Sequence, residues 1–170
     1  MINLFDFPQG PQLARQAQPA ARAIARLRQR YREAGAPVIY VNDNFMQWQA
    51  DFRQIQVMSM QPERPGAAIA QLLQAGADDY SILKPKHSAF LATPLSVLLS
   101  KLGITRLALT GIATDSCIAA TALDANMREY EVQIPSDCVA ATTPARSRRA
   151  LAMLAQTDRI DVVRSVSVSP

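Results

Sequence analysis

The stretch Leu109-Thr110-Gly111-Ile112-Ala113-Thr114-Asp115-Ser116-Cys117 reads as the end of a strand, a glycine turn and the first turn of a helix. A cysteine at that point meets unpaired backbone amides and the positive end of the helix dipole. Both favour the thiolate, which is the nucleophilic form. The same amides can hold an oxyanion developing on a carbonyl under attack. Pattern alone leaves a second account open, since free cysteine is commonly a small buried packing residue. Lys84 closes the apolar run Tyr80-Ser81-Ile82-Leu83 and so points at the same end of the fold. Beside a thiolate it would be charge-paired and able to shuttle a proton. Standing alone, a lysine at a strand end is ordinarily exposed; Lys86, two residues on, is read as solvent-facing.

The elements that position these residues follow from periodicity. Pro37-Val38-Ile39-Tyr40-Val41 is a continuous apolar run, the pattern of a parallel strand buried on both faces. Comparable runs end at Leu83, Thr110, Ile134 and Val163. Between them, Ala17, Ala20, Ile24, Leu27 and Tyr31 recur at helical spacing, with Pro19 marking the first turn and Gly35 the end. Thr93-Pro94 and Thr143-Pro144 predict helices over about 94–102 and 144–156. Further helices are expected over about 62–74 and 115–127. Asn42 to about Gln61 reads as a long segment without a strand. The alternation predicts an α/β fold, three layers α-β-α around a mostly parallel, Rossmann-like sheet, as one domain over residues 1–170. Ligands of such sheets sit beyond the carboxyl ends of the strands.

Composition narrows the chemistry. The chain has 170 residues, 49% hydrophobic and 19% charged, enough apolar material for a real core. Two cysteines and one histidine exclude a disulfide framework, a CxxC redox pair and any metal site needing two imidazoles. The net charge of +4 is scattered, without a basic stripe interleaved with aromatics, so nucleic acid is not an expected partner. No apolar run is long enough for a membrane helix, and the first residues lack a signal-peptide layout, which predicts a cytoplasmic protein.

Taken together, Leu83-Lys84-Pro85-Lys86-His87-Ser88-Ala89-Phe90, Thr93-Pro94-Leu95 and Leu109 to Ala125 resemble the isochorismatase-like cysteine hydrolase superfamily. Arg128 to Val132 and Ser136 to Ala140 extend the resemblance over essentially the whole chain. It implies that Cys117 is the nucleophile and Lys84 the catalytic lysine. It also implies a cis Ile112–Ala113 peptide that aims the Ala113 amide, with that of Cys117, into an oxyanion hole. The implied chemistry is thiolate attack on an amide-like carbonyl, a thioester intermediate and hydrolysis. Substrate-lining candidates are Phe5, Phe7, Asn42, Phe45, Trp48, His87 and Thr114. Assembly as a homo-oligomer, dimer or tetramer, is implied too.

Departures from the pattern carry information. Isochorismatases proper often lack the cysteine, so its presence points to C–N cleavage in a small amide or ureido substrate. Nicotinamidases carry Asp-x-His after the second strand to bind zinc; here the segment reads Asn42-Asp43-Asn44-Phe45, so neither metal nor cofactor is expected. The aspartate that closes the family's first strand would fall one position before Met1. Asp6 does not replace it and reads as a solvated loop carboxylate. The polypeptide is therefore expected to extend upstream with an apolar strand ending in aspartate, and the chain as written to be weakly active. Three alternatives stand beside the leading reading. They are an ether hydrolase, a non-catalytic small-molecule binding or assembly module, and a thiol redox sensor pairing Cys117 with Cys138.

Overall fold

The computed structural model describes all residues, 1–170. Seven strands are interspersed with six α-helices. The strands are β1 (Ile39–Asp43), β2 (Tyr80–Lys84), β3 (Arg106–Ala108), β4 (Gly111–Ile112), β5 (Glu131–Pro135), β6 (Val139–Ala140) and β7 (Ile160–Val163). The helices are α1 (Gly10–Glu33), α2 (Phe52–Ser59), α3 (Ala67–Leu72), α4 (Leu95–Lys101), α5 (Ala119–Met127) and α6 (Pro144–Leu154). Every strand pairing is parallel, as continuous apolar runs joined by helices require.

The ladders form three groups: β1 with β2, β3 with β5 and β7, and β4 with β6. β5 pairs on both sides, and its Val132 and Ile134 are fully buried among Leu99, Ala122, Ala125 and Leu154. β1 pairs only with β2. Its Ile39, Tyr40 and Val41 are half-buried, which corrects the expectation of a strand covered on both faces. The physical reason is a cavity along its other edge, described below.

Helix α1 begins far ahead of Pro19, which lies inside it; the first-turn proline is Pro11. Its alanine face, Ala14, Ala17, Ala20, Ala21 and Ala23, lets the backbone pack close against the sheet, and Ile24 and Leu27 complete the stripe. Arg28 reaches from α1 to the Tyr40 hydroxyl and the Gln74 carbonyl, and Arg32 forms an ion pair with Asp79, tying the helix to the approach of β2. The expected helix over 62–74 shortens to α3. The segment after β1 contains α2, whose Asp51 and Gln54 form a reciprocal capping box. Thr143 caps α6 as expected. Thr93 does not cap from the expected position; Pro94 precedes the first helical residue, while the Thr93 hydroxyl accepts from the Leu95 amide.

Two glycines hold the first residues in place. A side chain at Gly10 would strike the Phe5 carbonyl, and one at Gly66 would overlap the Phe5 ring and the Asn3 carbonyl. Phe5 is thereby sealed into the core with no exposed surface.

Candidate active site

The parallel register of β1 and β2 sets Asp43 directly beside Lys84. Lys84 is nearly fully buried, and its ammonium forms an ion pair with the Asp43 carboxylate. The same Nζ lies 3.6 Å from Cys117 Sγ, within hydrogen-bonding reach of sulfur. Burial of an ammonium is tolerable only with such partners. The lysine therefore bridges a carboxylate and a thiol.

Cys117 arrives from the opposite half of the molecule. After β4 the Ile112–Ala113 peptide is cis, and Thr114–Ile118 forms one π-helical turn that opens α5. Single π turns recur at functional sites. Gly111 adopts φ +125°, a conformation closed to ordinary side chains, and Met1 packs 3.4 Å from where its Cβ would stand. Two contacts to α6 hold the back of this turn. Thr114, fully buried, shares a hydrogen bond with Ser147 at 2.8 Å, and Asp115 pairs with Arg146. Cys117, half-buried, is thereby left to face the cavity.

That cavity, of about 630 Å³, runs between the free edges of β1 and β3, and Asp43, Lys84, Ala113 and Cys117 all line it. Of the expected lining residues, Phe5, Phe7 and Asn42 border it. The Asn42 side chain is buried and donates to the Ile2 carbonyl at 2.9 Å, fixing the first residues against β1. The other four stand elsewhere. Thr114 faces α6, Trp48 is largely exposed, and Phe45 packs toward the α1 core. His87, with φ +44°, hydrogen-bonds through Nδ1 to Ser116 Oγ at 2.9 Å, on the outer side of the nucleophile turn. Asp6 is exposed and 3.9 Å from Arg64.

Burial distinguishes the two thiols, Cys117 being half-buried and Cys138 fully buried. Burial, reinforced by Asp137, pushes the Cys138 thiol up to about 12, so it stays protonated in the folded protein. At the other turn, the Met1 amino group is pushed down to about 6 by burial; Asp43 and Cys117 oppose that shift and Lys84 adds to it. Asp43 is the functional candidate that sequence reasoning passed over. The signal lay in two strands that end in Asp and Lys, and only the register brings those ends together. No group of three or more His, Cys, Asp or Glu side chains converges in a metal-holding arrangement. The site offers a thiol, a proton-carrying lysine and a carboxylate in series, suited to nucleophilic attack on a carbonyl.

The family model for the isochorismatase domain matches residues 1–165. An uncharacterised isochorismatase family protein of Bacillus subtilis, YaaI, is 40% identical over 91% of this chain and 84% of its own length. A ureidoacrylate amidohydrolase of Methylobacterium radiotolerans is 30% identical over 83% of this chain and 59% of its own. The crystal structure of N-carbamoylsarcosine amidase from Thermoplasma acidophilum superposes with a TM-score of 0.70. It covers 92% of this chain and 88% of that one at 24% identity, a likeness of fold. No helix is long and apolar enough to cross a membrane.

Proposed function

The chain belongs to the isochorismatase family, and from that premise we propose a metal-independent cysteine hydrolase that cleaves a C–N bond in a small amide or ureido substrate. The observation that carries the reading is the Cys117–Lys84–Asp43 series, with 3.6 Å between Sγ and Nζ and an ion pair beyond it. The ureidoacrylate amidohydrolase relative supports the reaction type. The reading takes residues 1–170 as one catalytic domain, working as a dimer or tetramer in the cytoplasm.

The residues divide the work as follows. The Cys117 proton passes to Lys84 Nζ while Nζ yields one to the Asp43 carboxylate. Sγ then bonds to the substrate carbonyl carbon, and the amides of Ala113 and Cys117 receive the oxyanion. The C–N bond breaks as the departing nitrogen takes the proton back through Lys84. Water attacks the resulting thioester, the acid leaves, and Cys117 regains its proton. Asp43 thus supplies from β1 the carboxylate that the resemblance assigns to a position before Met1.

The test is a turnover screen of N-carbamoyl amino acids, ureido acids and primary amides, reading ammonia or amine release. Turnover of one class, lost in Cys117→Ala and accompanied by an acyl mass on Cys117 in quenched wild-type reactions, is expected. Turnover that persists in Cys117→Ala would overturn the assignment.

A further inference from the structure

Cys117, Thr121 and Asp124 follow one another at positions i, i+4 and i+7, so the thiol turn and helix α5 behind it share one face. Arg128, four residues beyond Asp124, caps α5 on the same stripe. Against this face runs the segment that leaves β2. Lys84 Nζ stands 3.6 Å from Cys117 Sγ, the Ala89 amide donates to Thr121 Oγ1 at 3.0 Å, and Ser88 Oγ donates to Asp124 Oδ2 at 2.5 Å. The contact of lysine and thiol is one of three between the same two pieces of chain.

The other two contacts are built to hold. Ser88 and Thr121 are buried, so their hydroxyls need partners. Ser88 Oγ donates to Asp124 and accepts from the Phe90 amide at 3.1 Å. Asp124 also forms an ion pair with Arg128, whose guanidinium lies 4.9 Å from the centre of the Phe90 ring. The carboxylate thus ties the segment to α5 by a charge-assisted bond, and Arg128 returns to the segment's own aromatic. Between Lys84 and Ser88 the support is thin. Pro85, Lys86 and His87 are exposed and make no hydrogen bond from main chain to main chain. His87 meets the thiol turn through its ring alone, at Ser116. Its φ of +44° is a left-handed conformation that a non-glycine residue keeps only between fixed points. β2 and β4, the strand before the thiol turn, belong to different ladders, so no hydrogen bonds between them set the separation.

We propose that Asp124, acting through Ser88, is a positioning residue: it clamps the segment after β2 onto α5 and so holds Lys84 Nζ against Cys117 Sγ. This rests on the reading of Cys117 as nucleophile and Lys84 as its proton carrier. Asp124 touches neither reacting atom; its influence passes through His87, Lys86 and Pro85. With the clamp released, these three residues shift. The buried ammonium then keeps Asp43 and loses its reach to sulfur. The thiol in turn loses the cation that favours its ionised form.

The test is iodoacetamide labelling across a range of pH, read by peptide mass at Cys117 with Cys138 as internal reference, beside the urea midpoint. Ser88→Ala and Asp124→Ala are expected to slow Cys117 about tenfold at pH 6.5 and to converge with wild type near about pH 9.5, where a thiol ionises unaided. Asp124→Asn, whose carboxamide oxygen still accepts from Ser88, is expected to stay within about threefold of wild type. Added to Lys84→Met, Ser88→Ala is expected to cause no further slowing. A merely loosened fold has the opposite sign, because exposure speeds alkylation at every pH. Asp137→Asn, which removes a carboxylate from the other cysteine's turn, is expected to lower the urea midpoint and leave the Cys117 rate within about twofold. The proposal is overturned by a Cys117 rate that is unchanged in folded Ser88→Ala and Asp124→Ala, raised in them at every pH, or slowed as much in the Lys84→Met background. Equal slowing in Asp137→Asn overturns it too. Where Asp124→Ala does not fold, Ser88→Ala, which keeps the pair of Asp124 and Arg128, carries the test. A wild-type Cys117 no faster than in Lys84→Met would overturn the nucleophile reading first, and the clamp with it. With that difference present, every outcome above concerns the clamp alone.

Discussion

Two turns at the carboxyl end of the sheet each carry a cysteine, and they have opposite characters. The turn after β4 brings Cys117, half-buried, to 3.6 Å from a lysine paired with a carboxylate. The turn after β5 seals Cys138 completely, and burial raises its thiol to about 12. In the second turn the carboxylate, Asp137, serves the backbone: it accepts from the Ser165 amide at 2.8 Å and hydroxyl at 2.7 Å, pinning the C-terminal segment. Beside the first turn the carboxylate is Asp43, at the end of β1, and it faces a buried ammonium. Residue type alone therefore sets neither burial nor partners. What differs is whether the turn borders a cavity, and whether a cation stands between acid and thiol.

The sharpest separation of the two turns is by truncation of their thiols. Cys117→Ala is expected to lower kcat/KM by about 10⁴-fold or more while leaving the urea midpoint nearly unchanged. Cys138→Ala is expected to keep kcat/KM and cost about 1 kcal/mol of stability, the price of a small core cavity. Activity lost with Cys138 and kept without Cys117 would reverse the comparison.

The acids are expected to separate in the same way. Asp43→Asn should lower kcat by about 10²-fold through the loss of the proton acceptor behind Lys84, with partial recovery in Asp43→Glu. A drop in stability with kcat unchanged would make Asp43 a purely structural partner of the lysine. Asp137→Asn should leave kcat alone and cost about 1–2 kcal/mol at neutral pH. Burial opposes ionisation of Asp137, but the Ser165 hydroxyl and amide, with Arg164, outweigh it and hold the carboxyl below its ordinary range. A depressed carboxyl stabilises above its unfolded value, near pH 3.9, and loses that contribution as pH falls through the folded value. The stability gap between wild type and Asp137→Asn should thus close below about pH 4. A gap independent of pH would contradict the assignment.

These two turns were unequally legible in the sequence. Gly111 and Cys117 announce the turn that borders the cavity, because a strand end, a glycine and a helix start are local events, and Lys84 ends an unmistakable apolar run. Asp43 was hidden because its meaning depends on the register of β1 against β2, strands whose paired residues lie 41 positions apart (43 against 84). The layout of parallel strands and the cap at Thr143 followed from patterns of a few residues. Two helices did not. Pro19 drew attention from Pro11 as the start of α1, and Asp51-x-x-Gln54 capped a helix where only a strandless segment was expected. Trp48 and Phe45 read as substrate-lining aromatics by position, yet one is exposed, the other packs toward the core, and neither lines the cavity. The half-burial of β1 was likewise beyond reach, since an apolar run shows what a strand can bury and not which neighbour covers it.

The central claim, that Lys84 makes one of the two thiols a nucleophile, is tested most directly by alkylation that needs no substrate. Iodoacetamide at pH 6.5, quenched over time and read by peptide mass, compares Cys117 with Cys138 in wild type and in Lys84→Met. Cys117 is expected to react at least about a hundredfold faster than Cys138, and Lys84→Met to remove most of that advantage while the fold is retained. Equal rates at the two cysteines, or a Cys117 rate unchanged by Lys84→Met, would contradict the account.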